Sequence, residues 1–147
     1  MGERVDAILR NKGSAIWSVR PEATVYEALV LLAEKDVGAL PVIAEGRLAG
    51  MFSERDYARK VALMGKSSKE LRVAEIMASP VITVTPEHTI EECMRIVTAH
   101  RIRHLPVVDG DHLVGLISIG DLVNAIISAQ AETIQHLSNY ISGEYPR

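Results

Sequence analysis

Leu48-Ala49-Gly50-Met51-Phe52-Ser53-Glu54-Arg55-Asp56 returns 65 positions later as Leu113-Val114-Gly115-Leu116-Ile117-Ser118-Ile119-Gly120-Asp121. Around these motifs, residues 18–63 recur without a gap as residues 83–128. Val19-Arg20-Pro21-Glu22-Ala23-Thr24 comes back as Val84-Thr85-Pro86-Glu87-His88-Thr89, and Leu40-Pro41-Val42 as Leu105-Pro106-Val107. Three motifs in one register mark a tandem repeat of one supersecondary unit. Each copy is too small to bury its own apolar face, so the pair is expected to share a single core.

Each copy reads as strand, helix, strand, strand, helix. Ile16–Val19 and Val81–Val84 are short, rich in β-branched residues and followed by proline-containing turns, which predicts a strand entering each copy. Thr24-Val25-Tyr26-Glu27 and Thr89-Ile90-Glu91-Glu92 are capping boxes, in which Thr and Glu satisfy the orphan N–H groups of a new helix. Val25, Ala28, Leu29, Leu32 and Ala33 then recur at helical spacing, matched by Ile90, Cys93, Met94 and Val97. Strands are predicted over Ala39–Ala44 and Arg47–Ser53, with a tight turn at Glu45-Gly46. Their counterparts are Leu105–Val108 and His112–Ser118, turning at Asp109-Gly110-Asp111, where Asp-Gly is a hairpin signal. Closing helices start at Ser53 and Ser118. Asp6–Lys12, stopped by Gly13, and Val73–Met77 read as short helices leading into the copies. The predicted layout is a first repeat with its N-terminal helix over 5–63, a linker over 64–72, a second repeat over 73–128 and a helical tail over 129–147. In the tail Ile134, Leu137, Tyr140 and Ile141 form an apolar stripe ended by Gly143 and Pro146, either a cover for the core or a contact with a second subunit.

Composition narrows the function. Of 147 residues 48% are hydrophobic and only 4% aromatic, so aliphatic packing carries the interior. A net charge of -3 argues against non-specific nucleic-acid binding, which needs a basic surface. No uncharged apolar run approaches the roughly 20 residues of a membrane span. The N-terminus lacks a signal-peptide pattern, and Asp6 stands where myristoylation needs Ser or Thr. A lone Cys93 excludes an internal disulfide. These features point to a soluble cytoplasmic protein.

The element order, Leu-Pro-Val in both copies and Gly-x-x-Ser-x-x-Asp in both copies resemble the cystathionine β-synthase (CBS) domain. Two such domains form a CBS pair, or Bateman module, and the resemblance spans about residues 5–128. Met51-Phe52-Ser53-Glu54-Arg55-Asp56-Tyr57 is similar to stand-alone bacterial CBS-pair proteins. The resemblance implies an α/β (α+β) fold of tandem β-α-β-β-α repeats, a pseudo-twofold pair of small sheets flanked by helices, with two clefts between the repeats. It further implies a homodimer and adenine-nucleotide ligands: AMP, ADP, ATP or NAD(H).

Asp56 and Asp121 weigh most. In Ser-x-x-Asp, Ser53 or Ser118 is a helix N-cap and the Asp sits at N3 near a positive helix end, which alone explains both residues. The same carboxylate can accept two hydrogen bonds from a ribose diol, and in the CBS family this Asp binds ribose with help from the Ser. The family also uses backbone at Gly38-Ala39-Leu40-Pro41 and Arg103-His104-Leu105-Pro106 against adenine, with Val37 and Ile102 sandwiching the ring. Pro41 and Pro106, lacking N–H groups, are expected at a strand edge on an exposed cleft lip. Arg103, His104 and Arg55 fall on family positions that contact phosphate, which suits the planar donor fork of Arg. Gly120 stands where some relatives carry a basic residue. Family geometry would place Asp56 with Ile102, Arg103 and His104, and Asp121 with Val37, Gly38 and Ala39.

Other chemistries find little support. Gly65-Lys66-Ser67 echoes a P-loop, but the required earlier Gly is Lys60. His100, His104 and His112 lack metal-site spacing or Cys partners. Cys93 lies on an apolar helix face beside Glu91 and Glu92 and reads as a packed core thiol. No hydrolase triad pattern appears. The leading expectation is a non-catalytic regulatory module acting on an unidentified effector protein by a change of conformation. The alternatives are an assembly scaffold with vestigial clefts, a binder of S-adenosylmethionine or a similar adenosyl compound, and an enzyme of small adenosyl substrates. The cleft holding Arg103 should be the more cationic: Arg103→Ala is expected to weaken AMP binding, measured by calorimetric titration, more than Asp121→Ala does, and the reverse order would contradict the assignment.

Overall fold

The computed structural model describes residues 3–13 and 15–142, with residues 140–142 described by their backbone alone. The elements in order are α1 (Val5–Lys12), α2 (Val25–Lys35), β1 (Ala39–Ala44), β2 (Arg47–Ser53), α3 (Glu54–Tyr57), a π-helical turn (Ala58–Ala62), α4 (Val73–Ile76), α5 (Ile90–His100), β3 (His104–Asp109), β4 (His112–Ser118) and α6 (Ile119–Ser142). β1 pairs with β2 and β3 with β4, giving two small antiparallel sheets flanked by helices. The chain divides into two units. One holds the first copy, α4 and Pro106–Leu116; the other holds α1, α5, Ile102–Leu105 and α6.

The two predicted entry strands shrink to single parallel bridges, Val19 to Val42 and Val84 to Val107. Proline explains this. Val19 N–H donates to the Pro41 carbonyl and Ile43 N–H to the Val19 carbonyl. The next rung on one side needs an N–H on Pro41, and the next on the other needs one on Pro21; neither exists. Pro106 and Pro86 stop the second ladder in the same way, after Val84 N–H meets the Pro106 carbonyl. Pro41 therefore has a neighbour on both sides, Met51 across the sheet and Val19 beyond. Pro41 and Pro106 are both buried. This corrects the expectation of an exposed strand edge: each proline ends a ladder inside the fold.

Both capping boxes form. Thr24 Oγ1 accepts from Glu27 N–H at 3.0 Å and Thr89 Oγ1 from Glu92 N–H at 3.1 Å. Both helices end alike, at Asp36 (φ 53°) and Arg101 (φ 55°), in the left-handed conformation. Val37 N–H then reaches back to Leu32 C=O and Ile102 N–H to Val97 C=O, the long return bond of a helix stop. The first hairpin turns through Glu45 and Gly46, both at positive φ as a two-residue turn requires.

The short leading helices are shared crosswise. α4 follows the first copy and packs on it: Thr24 bridges Arg72, and Val73 N–H donates to Ala23 C=O. α1 precedes the first copy in sequence, yet in its unit it joins the second: Arg4 bridges Thr89, and Val5 N–H donates to His88 C=O. The predicted helix over Asp6–Lys12 forms, but its packing partner is the other copy.

Each unit has an aliphatic interior. In the first, Val25, Ala28, Leu32, Leu40, Val42, Phe52 and Val61 of the first copy pack with Val73 and Ile76 of α4. In the other, Val5, Ile90, Cys93, Val97, Leu105, Ile117 and Leu122 are buried. The Cys93 thiol is pushed up to about 11, by burial first and then by Glu92, which suits a packed thiol. The copies differ at their ends. The first closing helix passes into the π-helical turn, whereas the second runs on as the 24 residues of α6. Ile134 and Leu137 lie exposed on α6; the side chains of Tyr140 and Ile141, and Gly143 and Pro146 altogether, lie outside the described residues.

Gly50, the glycine of the repeated motif, owes its identity to close approach. A Cβ there would meet Met77 Sδ at 2.6 Å and the Ala78 carbonyl oxygen at 2.9 Å. That carbonyl is fixed by the N–H of Met51 at 3.0 Å, so it cannot yield cheaply. Gly50→Ala should destabilise the protein by about 1–3 kcal/mol through overpacking, read as a lower urea midpoint at unchanged slope.

Candidate functional site: two Ser-x-x-Asp helix starts

In each copy a helix stop and a helix start are stitched together. Glu54 N–H donates to Gly38 C=O at 3.1 Å, and Ile119 N–H donates to Arg103 C=O at 2.8 Å. The stop orients Val37–Ala39 or Ile102–His104, and the start orients Ser53–Asp56 or Ser118–Asp121. The sequence-predicted residues thus gather in two places. Val37, Gly38, Ala39, Ser53, Arg55 and Asp56 fall in one unit, with buried Pro41 behind them. Ile102, Arg103, His104, Ser118, Gly120 and Asp121 fall in the other. Pro106, within β3, falls with residues 106–116 in the unit of the first copy.

Both carboxylates are held by their caps. Asp56 Oδ2 accepts from Ser53 N–H and from Ser53 Oγ, each at 3.0 Å, while Ser53 Oγ accepts from Asp56 N–H at 3.1 Å. Asp121 Oδ2 accepts from Ser118 N–H at 2.8 Å, and Ser118 Oγ accepts from Asp121 N–H at 3.1 Å. The cap reading of these residues is therefore realised. It leaves acceptor capacity, because an ionised carboxylate offers about four lone-pair positions. The side chains are 17% exposed at Asp56 and 23% at Asp121, half-buried but open to a ligand.

Two lysines complete the sites, and neither belonged to the sequence-predicted set. Lys60 Nζ stands 3.1 Å from Asp56 Oδ1, one helical turn on; the i,i+4 spacing was a readable signal. Lys12 Nζ bonds Asp121 Oδ2 at 2.7 Å across 109 positions, with no local signal to reveal it. Burial disfavours the Asp121 charge, but Lys12 and the Ser118 bonds outweigh it and hold the carboxyl below its ordinary range. His104 is pushed below its ordinary value by burial first, then by Lys12 and by Arg103, against the pull of Asp121. Arg55, Arg103 and Gly120 are exposed. A separate open depression of about 740 Å³ lies along α2, lined by Val19, Arg20, Glu27 and Glu34 among others, and holds none of the predicted residues. Among the described residues no group of three His, Cys, Asp or Glu could hold a metal ion.

The CBS domain model matches residues 14–63 and 73–128. This chain belongs to the CBS-domain family. It is a CBS pair, 41% identical over 138 residues to the mitochondrial CBS domain-containing protein CBSX3 of Arabidopsis thaliana. That match covers 90% of this chain and 66% of the plant protein, so the chain spans about two thirds of that relative. A CBS-domain structure from Burkholderia ambifaria superposes with a TM-score of 0.83 at 49% identity, covering 87% of this chain and 96% of that one. A hexameric CBS-CP12 protein from bloom-forming cyanobacteria gives 0.76 at 34% identity, covering 84% and 71%. Among the described residues, no helix of this CBS pair is long and apolar enough to cross a membrane.

Two groups of the CBS pair make stability fall on acidification. His104 has a folded pKa below its ordinary 6.5, so its contribution is complete above that pH and declines as pH falls toward the folded value. Asp121 is lowered from 3.8, so its contribution is complete above that pH and is lost as pH falls through the folded value. The melting temperature should therefore drop between pH 7.5 and 5, and His104→Gln should flatten that drop; an unchanged slope would contradict the role given to His104.

Proposed function

We propose that this CBS pair is a non-catalytic regulatory module that takes up an adenine nucleotide, AMP, ADP, ATP or NAD(H), and reports it to an effector protein. The observation that carries this reading is the carboxylate preorganised at each Ser-x-x-Asp helix start. Each is oriented by a backbone N–H and half-open, which suits a ribose diol. Val37, Gly38 and Ala39, with Ile102, Arg103 and His104, supply the apolar and backbone surface for adenine. Arg55 and Arg103 supply charge for phosphates, and His104 supplies a ring N–H. Pro41 and Pro106, being buried, act by stopping the ladder beside the site. A ligand that favours one arrangement of the repeats shifts the population toward it, and the shift is the signal.

A second reading draws on α6. Val123, Ile127, Ile134 and Leu137 are 40–67% exposed and fall at spacings of four, seven and three residues. Such a stripe supports association with a second copy as a homodimer, and a scaffold role if the carboxylates bind nothing.

Thermal unfolding decides between the readings. AMP, ADP, ATP, NADH, NAD and S-adenosylmethionine would each be added at about 1 mM. A ligand at about 100 times its dissociation constant adds about 2.7 kcal/mol, an easily read rise in melting temperature. The expected result is a rise with an adenine nucleotide that shrinks in Asp56→Ala, measured against the variant's own baseline because the lost cap costs about 1 kcal/mol. No shift with any compound would favour the scaffold.

A further inference from the structure

Lys12 and Asp121 lie 109 positions apart, yet the ammonium and the carboxylate meet at 2.7 Å. The N-terminal half of α1 is fixed otherwise: Val5 and Asp6 donate backbone N–H groups to His88 and Pro86, and Val5 and Ile8 are buried. The last turn is different, because residues 10–12 are exposed and the Lys12 side chain ties that turn to the head of α6. Ser118 N–H and Lys12 converge on one oxygen, Asp121 Oδ2. The first copy does not repeat the device. Asp56 pairs with Lys60 from its own helical stretch, and Lys60 Nζ also donates to the Ile76 carbonyl at 3.0 Å, a bond that can keep that lysine in place when the carboxylate is taken.

We infer that Lys12 is a built-in competitor at Asp121: a ribose diol and the last turn of α1 hold the carboxylate in turn. The inference rests on the nucleotide reading above. A neutral diol that replaces an ammonium gives up an ion pair, so the Asp121 site binds more weakly than its shape allows. Occupancy there also releases the end of α1, which makes α1 the element that changes when this site fills. Lys12 thereby sets both the threshold of the second site and its output.

The test is calorimetric titration with AMP, in the natural protein and in an Asp56→Asn background that keeps the first cap but weakens ribose binding there. Lys12→Met removes the charge and keeps the stem, and Lys12→Arg restores the charge. Lys12→Met should bind AMP about two- to five-fold more tightly, the range an exposed ion pair spans, and Lys12→Arg should return toward the natural value. Hydrogen exchange of the amides of residues 10–13 should rise when AMP is added and already be high in Lys12→Met. Equal or weaker binding by Lys12→Met overturns the competitor while leaving nucleotide binding intact. Binding that vanishes in Asp56→Asn alone means Asp121 is no nucleotide site, which also overturns it. No AMP binding by any of these proteins, Lys12→Met included, sinks the nucleotide reading and the competitor together.

Discussion

A repeat of this size cannot cover its own apolar surface, and every other feature of the fold answers to that shortage. The first copy is completed by α4, whose Val73 and Ile76 enter its interior. The second gains α1, whose Val5 is fully buried. The junctions are made alike. Thr24 meets Arg72 while Val25 N–H donates to Leu71 C=O; Thr89 meets Arg4 while Ile90 N–H donates to Glu3 C=O. The same threonines cap α2 and α5, so one residue both starts a helix and receives the borrowed segment. The borrowed segments carry the same Arg-Val pair, Arg4-Val5 and Arg72-Val73, with both valines fully buried, so backbone bonds and a buried side chain specify each junction together.

At the Ser-x-x-Asp starts the cap and the proposed binding group are one arrangement. A carboxylate at N3 is stabilised by the N–H of its own N-cap and by the helix end. Those bonds orient it as a hydrogen-bond acceptor. Folding thus builds the acceptor whether or not a ligand is present, and the family relation gives that acceptor a regulatory context. The carbonyls of Gly38 and Arg103 tie each helix start to the helix stop before it, so one hydrogen bond positions the two segments of a copy against each other.

The copies share a backbone and differ in charge and length. Asp56 takes a local lysine and Asp121 a distant one. The first closing helix widens into a π-helical turn within two turns, and the second extends as α6 with an exposed apolar stripe. Duplication supplied two equal helix starts, and these differences make them unequal.

The sequence by itself determined the repeat, the two capping boxes, both hairpins and the two helix starts, because each depends on residues within a few positions of one another. It also carried the family, through Leu-Pro-Val and Gly-x-x-Ser-x-x-Asp. Its reading failed where a backbone group's partner lies elsewhere in the chain. The entry strands at Ile16–Val19 and Val81–Val84 looked continuous, but Pro41 and Pro106 on the neighbouring strands remove the N–H groups a longer ladder needs. The same prolines looked like edge residues until a second neighbour buried them. Only the tertiary structure decided that α1 serves the second copy, that Gly50 makes room for Met77 and Ala78, and that Lys12 reaches Asp121. Local hydrogen bonding is written in short spacings; long-range pairing depends on where the packed interior brings distant backbone together, and no spacing encodes that.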